Sequence, residues 1–205
     1  MGGGNSRLTP EQRKEHKRYE AMKKGAYEIK DKEYEWMICY DDNGKELFRT
    51  TDNNKHEVGP GDHEDEVYNT RMVHNHPSGG CFSDADVSVA SRMKEIWAVT
   101  SNLIQIFKWN TNYYMPGYKQ AEGKMIEFYN KLSNAYKNNH FINNAKVEYE
   151  KKHPMPDIVG MKFSDYTKLI NERAREITLL AHKKEREFFK NHQKDYGYTY
   201  TERSY

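Results

Sequence analysis

One segment constrains this chain more than any other. It runs Val67-Tyr68-Asn69-Thr70-Arg71-Met72-Val73-His74-Asn75-His76, then Pro77-Ser78-Gly79-Gly80-Cys81-Phe82, then Ser83-Asp84-Ala85-Asp86. The first ten residues read as a strand that ends at the histidines. Pro77 has no N–H to give a ladder and stops the strand, and the two glycines allow a tight loop. Ser83 followed by Asp86 is a helix start, the serine capping and the carboxylate reaching back. Strand, short loop and helix in direct succession imply a mixed α/β arrangement.

The flanking sequence extends this frame. Thr9-Pro10-Glu11-Gln12 opens a helix, with Thr9 as N-cap and Gln12 completing a capping box. That helix is expected to run to about Lys24 and stop at Gly25. Having few apolar positions, it should lie on the surface or dock on a partner. Residues 33–50 read as a β-hairpin. Tyr34, Trp36, Ile38 and Tyr40 alternate onto one face and Glu33, Glu35, Met37 and Cys39 onto the other, before an Asp41-Asp42-Asn43-Gly44 turn. Residues 51–66 read as loop. Val87, Ala90, Met93, Ile96 and Trp97 recur at near-helical spacing, which predicts a helix from Ser83 to Trp97, followed by a strand at Leu103–Phe107.

These elements divide the chain into a leader and helix (1–30), an α/β domain with one central helix (31–117) and a helical appendage (118–205). Met1 to Ser6 reads as a flexible leader. In the appendage, Met125 to Tyr136 fits one amphipathic helix. Residues 138–156, with asparagine clusters and two prolines, read as irregular, and Tyr166 to Ala181 fits a long helix opened by Ser164.

Composition limits the function classes. Among 205 residues, 33 basic and 31 acidic side chains give a net charge of +2. Such a balance supplies no general pull toward phosphate backbones, so nucleic acid is not an expected partner. No apolar run is long enough to span a bilayer, and the first residues lack the apolar core of a secretory signal. With two cysteines and no CxxC spacing, a reducing, cytoplasmic setting is the expectation, or delivery into a target cell without a signal peptide.

The histidine segment carries the chemistry. On a strand, residues i and i+2 share a side, so His74 and His76 present two imidazoles to one pocket. The glycine loop can return Asp86 to them. Two imidazoles, a carboxylate and an open position make a catalytic zinc site. Such a site needs a proton acceptor, which Glu35 or Glu33 can supply, and Ser83 can donate to a developing oxyanion. Taken singly, each piece is ordinary: an HxH pair, a capping box, two exposed glutamates. His56 and His63 read as solvated loop residues and Cys81 as structural. His140, His153, His182 and His192 lack metal-ligand spacing.

Taken together, HNHPSG-x-x-F-S-x-x-D resembles the motif of JAB/MPN (JAMM) metallopeptidases, which pair an upstream glutamate with HxHP and a downstream SxxD. The hairpin YEWMICYDDNGKELFRTTDN, KEIWAVTSN and, more weakly, YGYTYTERSY are similar to the branch found in MuF-type phage head proteins and bacterial polymorphic toxins. The resemblance covers about residues 33–110. It implies a JAB-like sheet, zinc held by His74, His76 and Asp86, an oxyanion serine at Ser83 and a catalytic Glu35, or Glu33 in a RadC-like register. The implied function is a zinc metallopeptidase or isopeptidase acting on a protein or peptide, in a phage, mobile-element or toxin setting. The helical appendage would bind a partner or inhibitor, or stabilise the domain. The alternatives are a non-catalytic structural or interaction module and, less favoured, a RadC-like nucleic-acid-associated protein.

Overall fold

The computed structural model describes residues 8–205, so the expected leader at Met1 to Ser6 lies outside the described residues. The first helix, α1 (Pro10–Ile29), begins as its sequence predicts. Thr9 Oγ1 accepts from Gln12 N, and Gln12 Oε1 accepts from Thr9 N. It does not stop at Gly25. A Cβ there would stand 2.0 Å from the Tyr40 hydroxyl, so the missing side chain lets the helix lie close on the sheet. The helix continues for another turn, and Met22, Ala26 and Ile29 bury against Ile38, Tyr40, Val73 and Trp97. Its sparse apolar positions therefore serve the chain's own sheet.

That sheet has six strands in the order β2-β1-β3-β4-β5-β6. They are β1 (Met37–Tyr40), β2 (Glu46–Thr50), β3 (Arg71–Asn75), β4 (Glu95–Val99), β5 (Leu103–Trp109) and β6 (Tyr198–Ser204). The pair β3–β4 is parallel and the other pairs are antiparallel. The expected alternation holds in β1: Ile38 and Tyr40 face α1, while Met37 and Cys39 enter the core on the opposite face. The α/β class is thus present, with α1 on one face and the remaining helices on the other.

Three sequence expectations change. The central helix, α2 (Asp84–Ala90), is shorter than predicted. Ser91 to Lys94 turn the chain, and Ile96 and Trp97 belong to β4, pointing to opposite faces. Their helical spacing from Val87 was coincidental. The hairpin ladder begins at Met37 rather than residue 33. The backbone before it is held otherwise: Glu35 N–H donates to Asn54 O at 2.7 Å and Trp36 N–H to the Asn75 side chain at 2.7 Å. Residues 61–66 of the expected loop form a short 3₁₀ segment.

The stretch 118–205 is not purely helical, and of its expected irregular middle (138–156) only residues 138–139 and 153–156 lack helix. It contains α3 (Tyr118–Lys137), α4 (His140–Lys152), α5 (Phe163–Tyr196) and β6. Asn139 takes a left-handed conformation (φ 51°), which turns the chain sharply between α3 and α4. Lys162 rather than Ser164 stands at the N-cap of α5. Phe128, Phe189, Tyr198 and Tyr200 join Phe82, Phe107 and Trp109 in one aromatic core, with Phe82–Phe189 centroids 5.9 Å apart. The last strand completes the sheet, pairing along all of β5. No helix among the described residues is long and apolar enough to cross a membrane.

Candidate metal centre

The parallel pair β3–β4 ends where the histidines stand. His76 N–H donates to Val99 O at 2.8 Å, so the strand geometry persists through both of them. His74 and His76 therefore point to the same side, and their Nε2 atoms lie 2.8 Å apart. The first turn of α2 brings Asp86 against them. Its Oδ1 is 3.2 Å from His74 Nε2 and its Oδ2 is 3.5 Å from His76 Nε2. The capping box fixes that carboxylate: Oδ2 accepts from Ser83 N at 2.7 Å and from Ser83 Oγ at 2.8 Å. One interaction thus starts the helix and aims its carboxylate.

The donors could hold a metal ion. Two imidazole nitrogens and one carboxylate oxygen lie within 4.8 Å of one another. Bonds of about 2.0–2.1 Å in a tetrahedron set ligand atoms roughly 3.3 Å apart. The two imidazole-to-carboxylate separations, which run to different oxygens of Asp86, are close to that, and the imidazole pair needs to open by about half an ångström. Among the described residues, no lysine or arginine lines the cleft to compete for these donors. Burial alone would raise the Asp86 carboxyl, but the imidazoles of His74 and His76 outweigh it and hold it well below the usual range. Burial would lower His76, and hydrogen bonding and attraction to Asp86 reverse the sign, leaving it raised. His74 Nδ1 is buried and has no hydrogen-bond partner among the described residues.

The cluster opens on a cleft of about 400 Å³, and Glu35 lines it with Met37 and Met72. Only 6% of Glu35 is exposed. Burial pushes its carboxyl up to about 7, with His76 lowering it and Asp86 and Glu57 adding to the rise. Glu33 is exposed, away from this cleft, and pairs with Lys55 Nζ at 2.7 Å. Ser83 lines the cleft, with its single hydroxyl proton directed to Asp86. Cys81 is buried, its Sγ 3.7 Å from the Tyr200 hydroxyl, and burial pushes its thiol up.

Several residues near the site carried no signal in the sequence. Asn75, between the two histidines, points to the other side of the strand and is wholly buried. Its side chain accepts from Trp36 N and donates to Tyr34 O at 3.1 Å, clamping the backbone that carries Glu35. Across the cleft, α3 contributes Tyr136 and α5 contributes His182 and Glu185. His182 Nδ1 lies 3.6 Å from where a Gly79 side chain would begin. His56 is exposed, as expected of a solvated loop residue, and also lines the cleft.

No protein-family model, curated protein or solved structure matches the chain.

The raised Glu35 carboxyl has a consequence for stability. Below about pH 4.5 it is protonated in both the folded and the unfolded chain. Between that value and about 7 the unfolded chain releases a proton that the folded chain keeps, so stability falls. Above 7 the cost is constant, about 1–2 kcal/mol after allowing for solvent in the cleft. In chelator-treated protein, Glu35→Gln should therefore gain stability over the parent at pH 8 and little at pH 4.5. Chemical denaturation at both values tests this, and an equal difference at the two would contradict it.

Proposed function

We propose that the chain is a zinc-dependent metallopeptidase or isopeptidase of the JAB/MPN kind, hydrolysing an amide bond in a protein substrate. The observation that carries this reading is that a buried Glu35 shares one cleft with the His74, His76 and Asp86 donors. Those three residues would hold the ion. Zinc bound by them supplies Lewis-acid polarisation of the scissile carbonyl and of water.

The chain's own residues do the rest. Glu35 accepts a proton from the attacking water and returns it to the departing amine, a transfer suited to a carboxyl buried in the same cleft as the donors. Asn75 holds the Glu35 backbone in register with the histidines. Ser83 supports the developing oxyanion after its hydroxyl turns from Asp86 toward the substrate. A phage, mobile-element or toxin setting, with a protein tail or conjugated lysine as substrate, follows from the sequence resemblance alone.

Elemental analysis of protein purified without added metal tests the reading, with about one zinc per chain expected. Protein that contains no zinc and takes up none on titration would refute the centre. Zinc without hydrolytic activity would favour a non-catalytic module of the same fold.

A further inference from the structure

We propose that Glu185 on α5 and Tyr136 on α3 are positioning residues that hold Asp86 at the histidine pair; this rests on reading the cluster as a zinc centre. The elements that carry the donors are joined by residues 77–83, which have no strand or helix of their own. After a local turn, Gly79 N–H to His76 O at 3.0 Å with φ of 81°, three successive residues are tied to distant side chains. Gly80 O accepts from Gln105 Nε2 at 3.0 Å. Cys81 N–H donates to Glu185 Oε2 at 3.1 Å, and Phe82 O accepts from the Tyr136 hydroxyl at 2.9 Å. Glu185 reaches back 104 positions and Tyr136 54.

The consequence is geometric. The sheet fixes the imidazoles, and the capping box fixes Asp86 to α2. The distance between these two rigid parts is therefore set by the loop. Metal ligation tolerates errors of only about 0.2 Å. A carboxylate on a backbone N–H and a hydroxyl on the next carbonyl hold the loop from its donor and acceptor sides. The C-terminal helices thus form part of the metal centre without supplying a ligand.

Zinc competition against a chromophoric chelator, on full-length protein, tests this. Tyr136→Phe, which keeps the ring, and Glu185→Ala should each weaken zinc binding about 10- to 100-fold. Glu185→Gln, whose amide oxygen still accepts from Cys81 N–H, should restore affinity to near the parent value. Amide exchange in zinc-free protein gives a second readout, with faster exchange at Cys81 in Glu185→Ala and at residues 80–83 in Tyr136→Phe, and β3 unchanged. Parent-like zinc affinity in both variants would overturn the proposal. If the parent itself takes up no zinc, the zinc reading fails separately. Exchange then decides whether these residues hold the loop: acceleration supports that role and its absence overturns it.

Discussion

On the proposed reading, Glu35→Gln is expected to lose about 10²- to 10⁴-fold in hydrolysis while keeping its zinc, because it would remove a proton acceptor and not a ligand. The glutamine is nearly the same size, so it should still fill the cleft beside Met37 and Met72. Glu33→Gln should leave activity unchanged, since Glu33 is exposed, paired with Lys55 and outside the cleft that Glu35 shares with the cluster. His74→Ala and Asp86→Ala should lose metal and activity together. Substrate cleavage followed by mass spectrometry, with metal content measured on the same samples, separates the cases. Loss of activity in Glu33→Gln but not in Glu35→Gln would move the acid–base role to Glu33. Full activity in both would end the mechanism.

The second large effect is on folding. Phe189→Ala should cost about 3–5 kcal/mol, the range for deleting a buried aromatic ring. Phe189 is fully buried, meets Phe82, Phe107 and Phe128 edge-to-face and stacks on Tyr200. A domain's whole stability is about 5–15 kcal/mol. Ending the chain after Gly117 is more severe. It removes β6 from β5 and strips the aromatic core of Phe128, Phe189, Tyr198 and Tyr200. That fragment should show no cooperative thermal transition. A folded fragment with a sharp transition would show that residues 118–205 are separable.

The parts of the fold that were legible in sequence are those set by near neighbours. Thr9 with Gln12 and Ser83 with Asp86 form their capping boxes because both partners lie within four residues. Alternation in Met37 to Tyr40 gave both faces of β1. His74, His76 and Asp86 were readable because strand and helix periodicities, joined by a short loop, bring them together.

What was missed depends on distance or on ambiguous spacing. Met93, Ile96 and Trp97 fit a helical stripe from Val87, but no glycine or proline marks the turn at residues 91–94 that puts two of them in a strand. Asparagines near residue 139 suggested irregular chain, whereas Asn138 and Asn139 alone form a short turn there and α4 follows. Glu185, Tyr136 and His182 could not be assigned to the cleft, because nothing local in α3 or α5 says which surface those helices cover. Asn75 was visible only as the spacer between two histidines, and its role lies on the reverse side of the strand.

The closing strand also bears on how fast the molecule can form. Gln105 on β5 and Tyr200 on β6 are hydrogen-bonded at a separation of 95 positions. Chain entropy must be lost across that whole span before the pair gains its first contact. Such pairings are the slow ones. Until β6 arrives, β5 offers an unpaired edge bearing Ile104, Ile106 and Phe107, the kind of surface on which other chains add strands. The intervening helices, whose backbone hydrogen bonds are local, can form early. The aggregation hazard of this protein is therefore concentrated in the interval between helix formation and the docking of its last strand.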